Sequence, residues 1–387
     1  MKLSVPHIDK DDIKSVNNVL KSEWISTSSK TVNTFESKLS FFCKTKYSVA
    51  LNSGTSAIHL GLKVLGVDKN SEVIVPSLTF IATVNPILYL GAKPIIFDVD
   101  CYHNLKVNDV INFIKKKTEF KNNNTINKKT KKIIKVIIIT HMWGRACNFS
   151  KLKEICKKRK IFIIEDAAEA LGSYVTRDKN NHCGAIGDIG CLSFNANKII
   201  TTGSGGAIIT NNKKFYLRAQ YLANQAKDDT FNYIHNECGY NYKMNSICAA
   251  LGISQLKRLK KKIAQRKKIY NRYLLNFKKS KNIEVLSFDK KSKTNYWMNI
   301  LFFKKLNFQK TYDLSLSLAK KKIETRRLWR PLNLQLHLKK FEKFNVKNAI
   351  KFYQNSLCVP SDDNISESDV DKISKYIKKF YEIIINK

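Results

Sequence analysis

Proline and glycine are scarce in this chain, six and fourteen in 387 residues, which excludes collagen-like and Pro/Gly-rich low-complexity designs. Acidic residues are also few, 31 against 70 Lys and Arg, giving a net charge of +39. Such an excess suits nucleic acid, an anionic membrane surface or acidic substrates. Here it is spread along the whole chain with many Asn and Ile, and no aromatic-interleaved basic motif accompanies it. A compositional origin is therefore favoured, and no nucleic-acid partner is expected. No C-x-x-C pair occurs among the nine cysteines, so a disulfide frame or zinc site is not expected, and free thiols in a reducing compartment are. The most apolar run, Ile133 to Ile139, is broken by Lys135 and too short to span a bilayer, so no membrane insertion is expected. The first residues, MKLSVPHIDKDD, carry no apolar stretch, which points to a cytoplasmic protein.

Against this scarcity one cluster stands out: Gly203, Gly205 and Gly206 lie within GCLSFNANKIITTGSGGAIIT, Gly190 to Thr210. Two β-rich runs, Cys191 to Phe194 and Ala207 to Thr210, flank a turn holding a single lysine, Lys198. A lysine on a surface is only a solvated charge. One held between apolar strands is costly to keep protonated, and a neutral amine is a nucleophile for carbonyl groups.

In chain order, Asp9 is placed to cap a helix with apolar positions Ile13, Val16 and Leu20. Asn33 and Glu36 form a capping box for a second helix with Phe35, Leu39 and Phe42 buried. Tyr47 to Ser53 reads as a strand entering Gly54-Thr55-Ser56 and a helix to Leu65, where free N–H groups at the helix start offer a phosphate seat. Strand 72–76, helix 77–83 and strand 94–99 follow, apolar throughout as in a parallel sheet covered on both faces. Residues 115–132, rich in Lys and Asn without periodicity, read as a mobile surface loop. Strand 133–140, helix 151–159 and strand 161–166 end in Asp166, a carboxylate where α/β sheets place ligands, though also where a helix cap would stand. Helix 246–277, a strand over 296–303 and a helix over 314–322 form the last part.

SFNANKIITTGSGG and EDAAEALGS resemble segments of the DegT/DnrJ/EryC1/StrS family, pyridoxal-phosphate-dependent aminotransferases acting on nucleotide-linked keto sugars. The match runs from Ser4 to about Ser366 with motifs in order. It implies that Lys198 bonds the aldehyde of pyridoxal 5'-phosphate, that Asp166 pairs with the pyridinium nitrogen, and that Glu169 lies near the ring oxygen. Gly54, Thr55, Ser56 and Ser193 would hold the phosphate and Phe80 would stack on the ring. Asn241 would reach the phosphate across a homodimer interface with shared active sites, and Trp24, His235 and Arg326 would face the sugar nucleotide. Lys243 stands where the family commonly has Arg, Ala207 where it has Met, and Arg327 where it has Pro.

The resemblance also implies the architecture: an aspartate-aminotransferase-like α/β fold (fold type I) with a mainly parallel central sheet between helices. The large cofactor domain would span 1–245 and a smaller α+β domain 246–387. The activity implied is transfer of an amino group from L-glutamate to carbon 4 of a UDP-linked keto-deoxy sugar, for a cell-surface glycan or nonulosonic acid. A GDP-linked sugar, as in perosamine formation, is the alternative within the fold. A nucleic-acid-binding protein on the same scaffold is the alternative outside it. Related sugar dehydratases usually carry His where Lys198 stands, so the sequence speaks against that branch.

Overall fold

The computed structural model describes residues 1–176 and 181–385. Asp9 caps α1 (Lys10–Lys21) in a reciprocal box with Asp12. The stripe expected at Ile13, Val16 and Leu20 is not the buried one. Ile13 and Leu20 are 55% and 49% exposed, and Asp12 and Val19 turn inward. Asp12 can do so because Arg258 and Gln255 pair with its carboxylate. Helix α2 (Lys30–Cys43) begins a turn before Asn33, capped by the Ser29 hydroxyl. Glu36 leaves the expected box and accepts the Ala50 N–H at 2.8 Å, tying α2 to β1 (Tyr47–Leu51).

Helix α3 (Gly54–Val64) follows, then β2 (Ser71–Pro76). Residues 77–83, expected as helix, form a single 3-10 turn, Ile81–Thr83. The Ser77 N–H donates to Phe97 O at 2.7 Å and the Thr79 and Thr83 hydroxyls pair at 2.7 Å, holding the segment open. After α4 (Asn85–Tyr89), β3 (Lys93–Phe97) and α5 (Val107–Lys117), the segment expected to be a mobile loop is instead a hairpin. Its strands β4 (Thr118–Lys121) and β5 (Asn124–Asn127) dock on β6 (Ile133–Thr140). The reason lies in buried polar contacts that composition does not reveal: Thr125 donates to Arg159 O at 2.6 Å and Asn127 to Glu72 at 2.9 Å.

Next come α6 (Ser150–Arg159), β7 (Phe162–Asp166), β8 (Ile189–Ser193), β9 (Gly206–Thr210), α7 (Lys213–Ala223) and the 32-residue α8 (Ser246–Phe277). The chain then adds β10 (Ile283–Val285), β11 (Asn299–Phe303), α9 (Phe308–Lys320), β12 (Arg326–Arg327) and β13 (Lys343–Phe344). It ends with α10 (Asn348–Asn355), β14 (Ser356–Val359) and α11 (Glu367–Ile385).

The large sheet runs β1-β9-β8-β7-β6-β2-β3-β13, parallel from β8 to β13, with β9 antiparallel to both its neighbours. Alternate residues of each strand feed cores on opposite faces. In β9, Ile208 packs with α3 and α7 residues such as Leu60 and Leu222, while Ala207 and Ile209 pack with Phe35 and Leu259 of α2 and α8. The smaller sheet runs β10-β11-β14-β12 over a core of Tyr273, Phe303, Leu314 and Ile373. Two segments cross the boundary expected at 245/246: β13 joins the large sheet, and Leu3 bonds to Ser361 and Glu324 beside the smaller one. Asp98, just past β3, ties the α10 start in place by accepting the Lys347, Asn348 and Ala349 N–H groups.

Candidate active site

The parallel strands end together. Register pairs Thr140 with Asp166 and Asp166 with Cys191, so the residues that follow β6, β7 and β8 open on one side of the sheet. There the structure forms a cavity of about 280 Å³. Of the residues singled out in the sequence, Gly54, Thr55, Phe80, Asp166, Glu169, Ser193 and Lys198 line it.

Lys198 follows a tight turn in which its N–H donates to Asn195 O at 2.9 Å. Its side chain is 13% exposed, and Nζ lies 3.5 Å from Glu169 Oε1 and 4.4 Å from the Trp297 ring centroid. Glu169 Oε2 accepts the Trp143 N–H at 2.7 Å. Burial raises the Glu169 carboxyl above its ordinary value, against the nearby Lys198 amine and the Trp143 N–H. Asp166 Oδ2 accepts the Thr83 hydroxyl at 2.7 Å and Oδ1 the Ala168 N–H at 3.2 Å. Burial pushes this carboxyl up as well, opposed by Thr83, Ala168 and Lys198. His141, at the end of β6, donates from Nε2 to Glu165 at 2.8 Å and accepts the Cys147 N–H on Nδ1, which fixes its ring beneath the site.

At the other end of the cavity Ser53 caps α3, its hydroxyl accepting the Ser56 N–H at 3.0 Å. The Ser56 hydroxyl is turned away to Asn52 at 2.6 Å. Ser193 closes on this helix start so tightly that a Cβ at Gly54 would meet Ser193 Cβ at 2.8 Å and Oγ at 3.1 Å. A helix start that opens on a glycine and faces a hydroxyl is a cradle of phosphate size and polarity. With an amine and a buried carboxylate at its other end, the set fits pyridoxal phosphate: a phosphate seat, a carbonyl-reactive group and a partner for a ring nitrogen.

Four residues singled out in the sequence lie elsewhere. Trp24 is 62% exposed with Nε1 donating to Ser28 O. His235 is exposed and donates from Nδ1 to Gln225 O at 2.8 Å. Asn241 is exposed, its carbonyl accepting the Asn52 amide at 3.2 Å. Arg326 pairs with Glu324 at 3.1 Å in a small neighbouring cleft. Within one chain these four do not reach the cavity.

Sequence reasoning missed Thr83, Trp297 and Trp329. Trp329 lines the cavity and leans on Phe80 at 5.0 Å between ring centroids. It stacks on Trp143 at 5.4 Å, which stacks on Trp297 at 6.2 Å, so three of the four tryptophans form one column. Their rarity was the available signal.

An α/β sheet with a lysine turn, a buried carboxylate and a helix-start cradle converging on one cavity defines a lysine-dependent transaminase of the pyridoxal-phosphate type. Comparison with known proteins agrees. Residues 6–378 match the model of the DegT/DnrJ/EryC1/StrS aminotransferase family. The chain is 33% identical to GDP-perosamine synthase of Escherichia coli O157:H7 over 97% of each chain. It is 30% identical to UDP-4-amino-4,6-dideoxy-N-acetyl-beta-L-altrosamine transaminase of Campylobacter jejuni strain 81-176, over 98% of this chain and 96% of that one. Among solved structures, a putative sugar aminotransferase of Streptococcus pneumoniae in its PMP form superposes with a TM-score of 0.90 at 26% identity, covering 100% and 98% of the two chains. This chain belongs to the DegT/DnrJ/EryC1/StrS aminotransferase family, whose members use pyridoxal phosphate. Among the described residues, no helix is long and apolar enough to cross a membrane, and no group of His, Cys, Asp or Glu is placed to hold a metal ion.

Proposed function

We propose that this aminotransferase moves the amino group of L-glutamate to carbon 4 of a UDP-linked keto-deoxy sugar, supplying an amino sugar for a cell-surface glycan or nonulosonic acid. The observation that carries the reaction is the Lys198 amine, 3.5 Å from Glu169 in one cavity with Asp166 and the α3 cradle. Bound there, pyridoxal phosphate supplies a carbonyl that carries the amino group and a ring that accepts electrons. Asp166, oriented by Thr83, holds the ring nitrogen. The first N–H groups of α3 and the Ser193 hydroxyl hold the phosphate. Phe80, braced by Trp329, covers the ring. Lys198 Nζ takes the proton from the donor's α-carbon and returns one to the carbon that receives the amine.

The site is completed by a second copy of the chain in this reading. Residues 225–244 carry His235 and Asn241 together with Phe231 and Tyr233, which are 88% and 72% exposed, an apolar surface suited to a partner. Trp24 and Arg326 then face the sugar nucleotide. The 33% identity to a GDP-perosamine synthase favours a second reading, a GDP-linked 4-keto sugar.

The test is the visible spectrum of the protein with pyridoxal phosphate, before and after glutamate, beside Lys198→Ala. A band that glutamate bleaches and the variant lacks supports the reaction, and no band in the wild-type protein refutes it. UDP- and GDP-linked 4-keto-6-deoxy sugars offered to the glutamate-treated protein, with product masses read out, then separate the two substrates.

A further inference from the structure

The Lys198 amine rests on a tryptophan whose role the reaction outlined above leaves unassigned. Trp297 is fully buried, and its ring centroid lies 4.4 Å from Nζ, well within the range where an ammonium is attracted to an indole face. Its other polar contact points to the same turn. Nε1–H donates at 2.9 Å to the carbonyl of Asn197, the residue before the lysine, and the Ser4 hydroxyl reaches that same carbonyl at 3.2 Å. The ring is prevented from tilting by its stack on Trp143, nearly coplanar at 8°. Trp143 in turn gives its backbone N–H to Glu169, the other group touching Nζ. The turn, the amine and the carboxylate are therefore linked through two tryptophans, one by its indole and the other by its ring stack and backbone N–H.

We propose that Trp297 is a positioning residue that holds the free Lys198 amine whenever it is not bonded to the cofactor, its face binding the ammonium and its N–H fixing the turn. This rests on the reading of Lys198 as the cofactor-bonding lysine. A neutral ring suits the task. The carboxylates facing the amine, Glu169 at 3.5 Å and Asp166, are both given to the cofactor in that reading. The ring holds the ammonium near its target without a further counter-charge, and releases it when the proton leaves because the attraction acts on the cation alone.

The test reads the amine directly in the full chain freed of cofactor. Lys198 is labelled with trinitrobenzenesulfonate from about pH 6 to about pH 10 and quantified by peptide mass spectrometry. Four proteins are compared: wild type, Trp297→Phe, Trp297→Leu, and wild type grown with fluorinated tryptophan, which keeps the ring's shape and drains its face of electrons. Removing the ring should speed labelling on the acid side of the profile by about tenfold, with the fluorinated protein and Trp297→Phe about threefold faster than wild type. Should Trp297→Leu fail to fold, the fluorinated protein decides, since a purely space-filling role would not respond to fluorine. Wild-type labelling in the fluorinated protein overturns the proposal. Borohydride trapping of pyridoxal phosphate on Lys198 is read in parallel: its absence defeats the underlying assignment of Lys198, while its presence with unchanged labelling defeats only the role of Trp297.

Discussion

Replacing Thr83 with Val tests whether Asp166 is tuned by its neighbour. The two residues are 1% and 8% exposed, and their 2.7 Å hydrogen bond is the shorter of the two that Asp166 accepts from the chain. A hydrogen bond to a buried charge contributes about 1.5–3 kcal/mol. Valine fills nearly the same volume without donating, so the carboxylate loses that amount and its pKa, already raised by burial, rises further. A protonated Asp166 cannot hold a protonated ring nitrogen. The affinity of the cofactor-free protein for pyridoxal phosphate should then fall roughly ten- to a hundredfold. The pH below which the cofactor is lost should move upward, while Thr83→Ser, which keeps the hydroxyl, should stay close to wild type. Spectrophotometric titration with pyridoxal phosphate across pH measures both. Equal affinities for Thr83→Val and wild type over the whole range would refute the idea that this hydroxyl sustains the Asp166 charge.

Gly54→Ala should abolish the phosphate cradle, because its Cβ would meet Ser193 at 2.8 Å; a fall of more than about tenfold in affinity for inorganic phosphate and for the cofactor is expected by calorimetry. Asp98→Ala removes the acceptor of three N–H groups at the start of α10 and should cost about 2 kcal/mol in urea unfolding, with faster proteolysis near residues 345–350; unchanged cleavage there would contradict the anchoring role. Burial lowers His182 to a pKa of about 4, so as pH falls from 6.5 towards 4 the unfolded chain takes up a proton that the folded one does not. Stability supplied by this group should therefore drop by about 2 kcal/mol between pH 7 and pH 5, and the drop should shrink in His182→Gln when urea midpoints are compared at the two values.

Much of the site was legible because its parts are local. The strands ending in Asp166 and flanking Lys198 feed apolar cores on both faces, and Gly54 and Thr55 of the expected phosphate seat stand side by side at one helix start lining the cavity. What escaped depends on partners far along the chain. The hairpin of β4 and β5 looks like a solvated loop until Glu72 and Arg159 arrive to satisfy Asn127 and Thr125. Ile13 and Leu20 follow a helical period, yet Arg258 and Gln255 draw Asp12 inward and leave the apolar residues outside. Trp143, Trp297 and Trp329 meet only in three dimensions, so no spacing announces them.

The antiparallel pairing of β8 and β9 has a consequence for how this site can change. Cys191 is registered against Ile208 and Ser193 against Gly206, so the turn carrying Lys198 closes directly between two core strands. A slip of β9 by one position would exchange Ile208 with its neighbours between the two cores and disturb β1 beyond, so the buried pattern holds the register. On the outer part of the turn the Ala196 side chain is exposed and away from the cavity, and so open to replacement. The turn's two ends are not: the core acts as a ruler that sets where the segment carrying the amine leaves and re-enters the sheet.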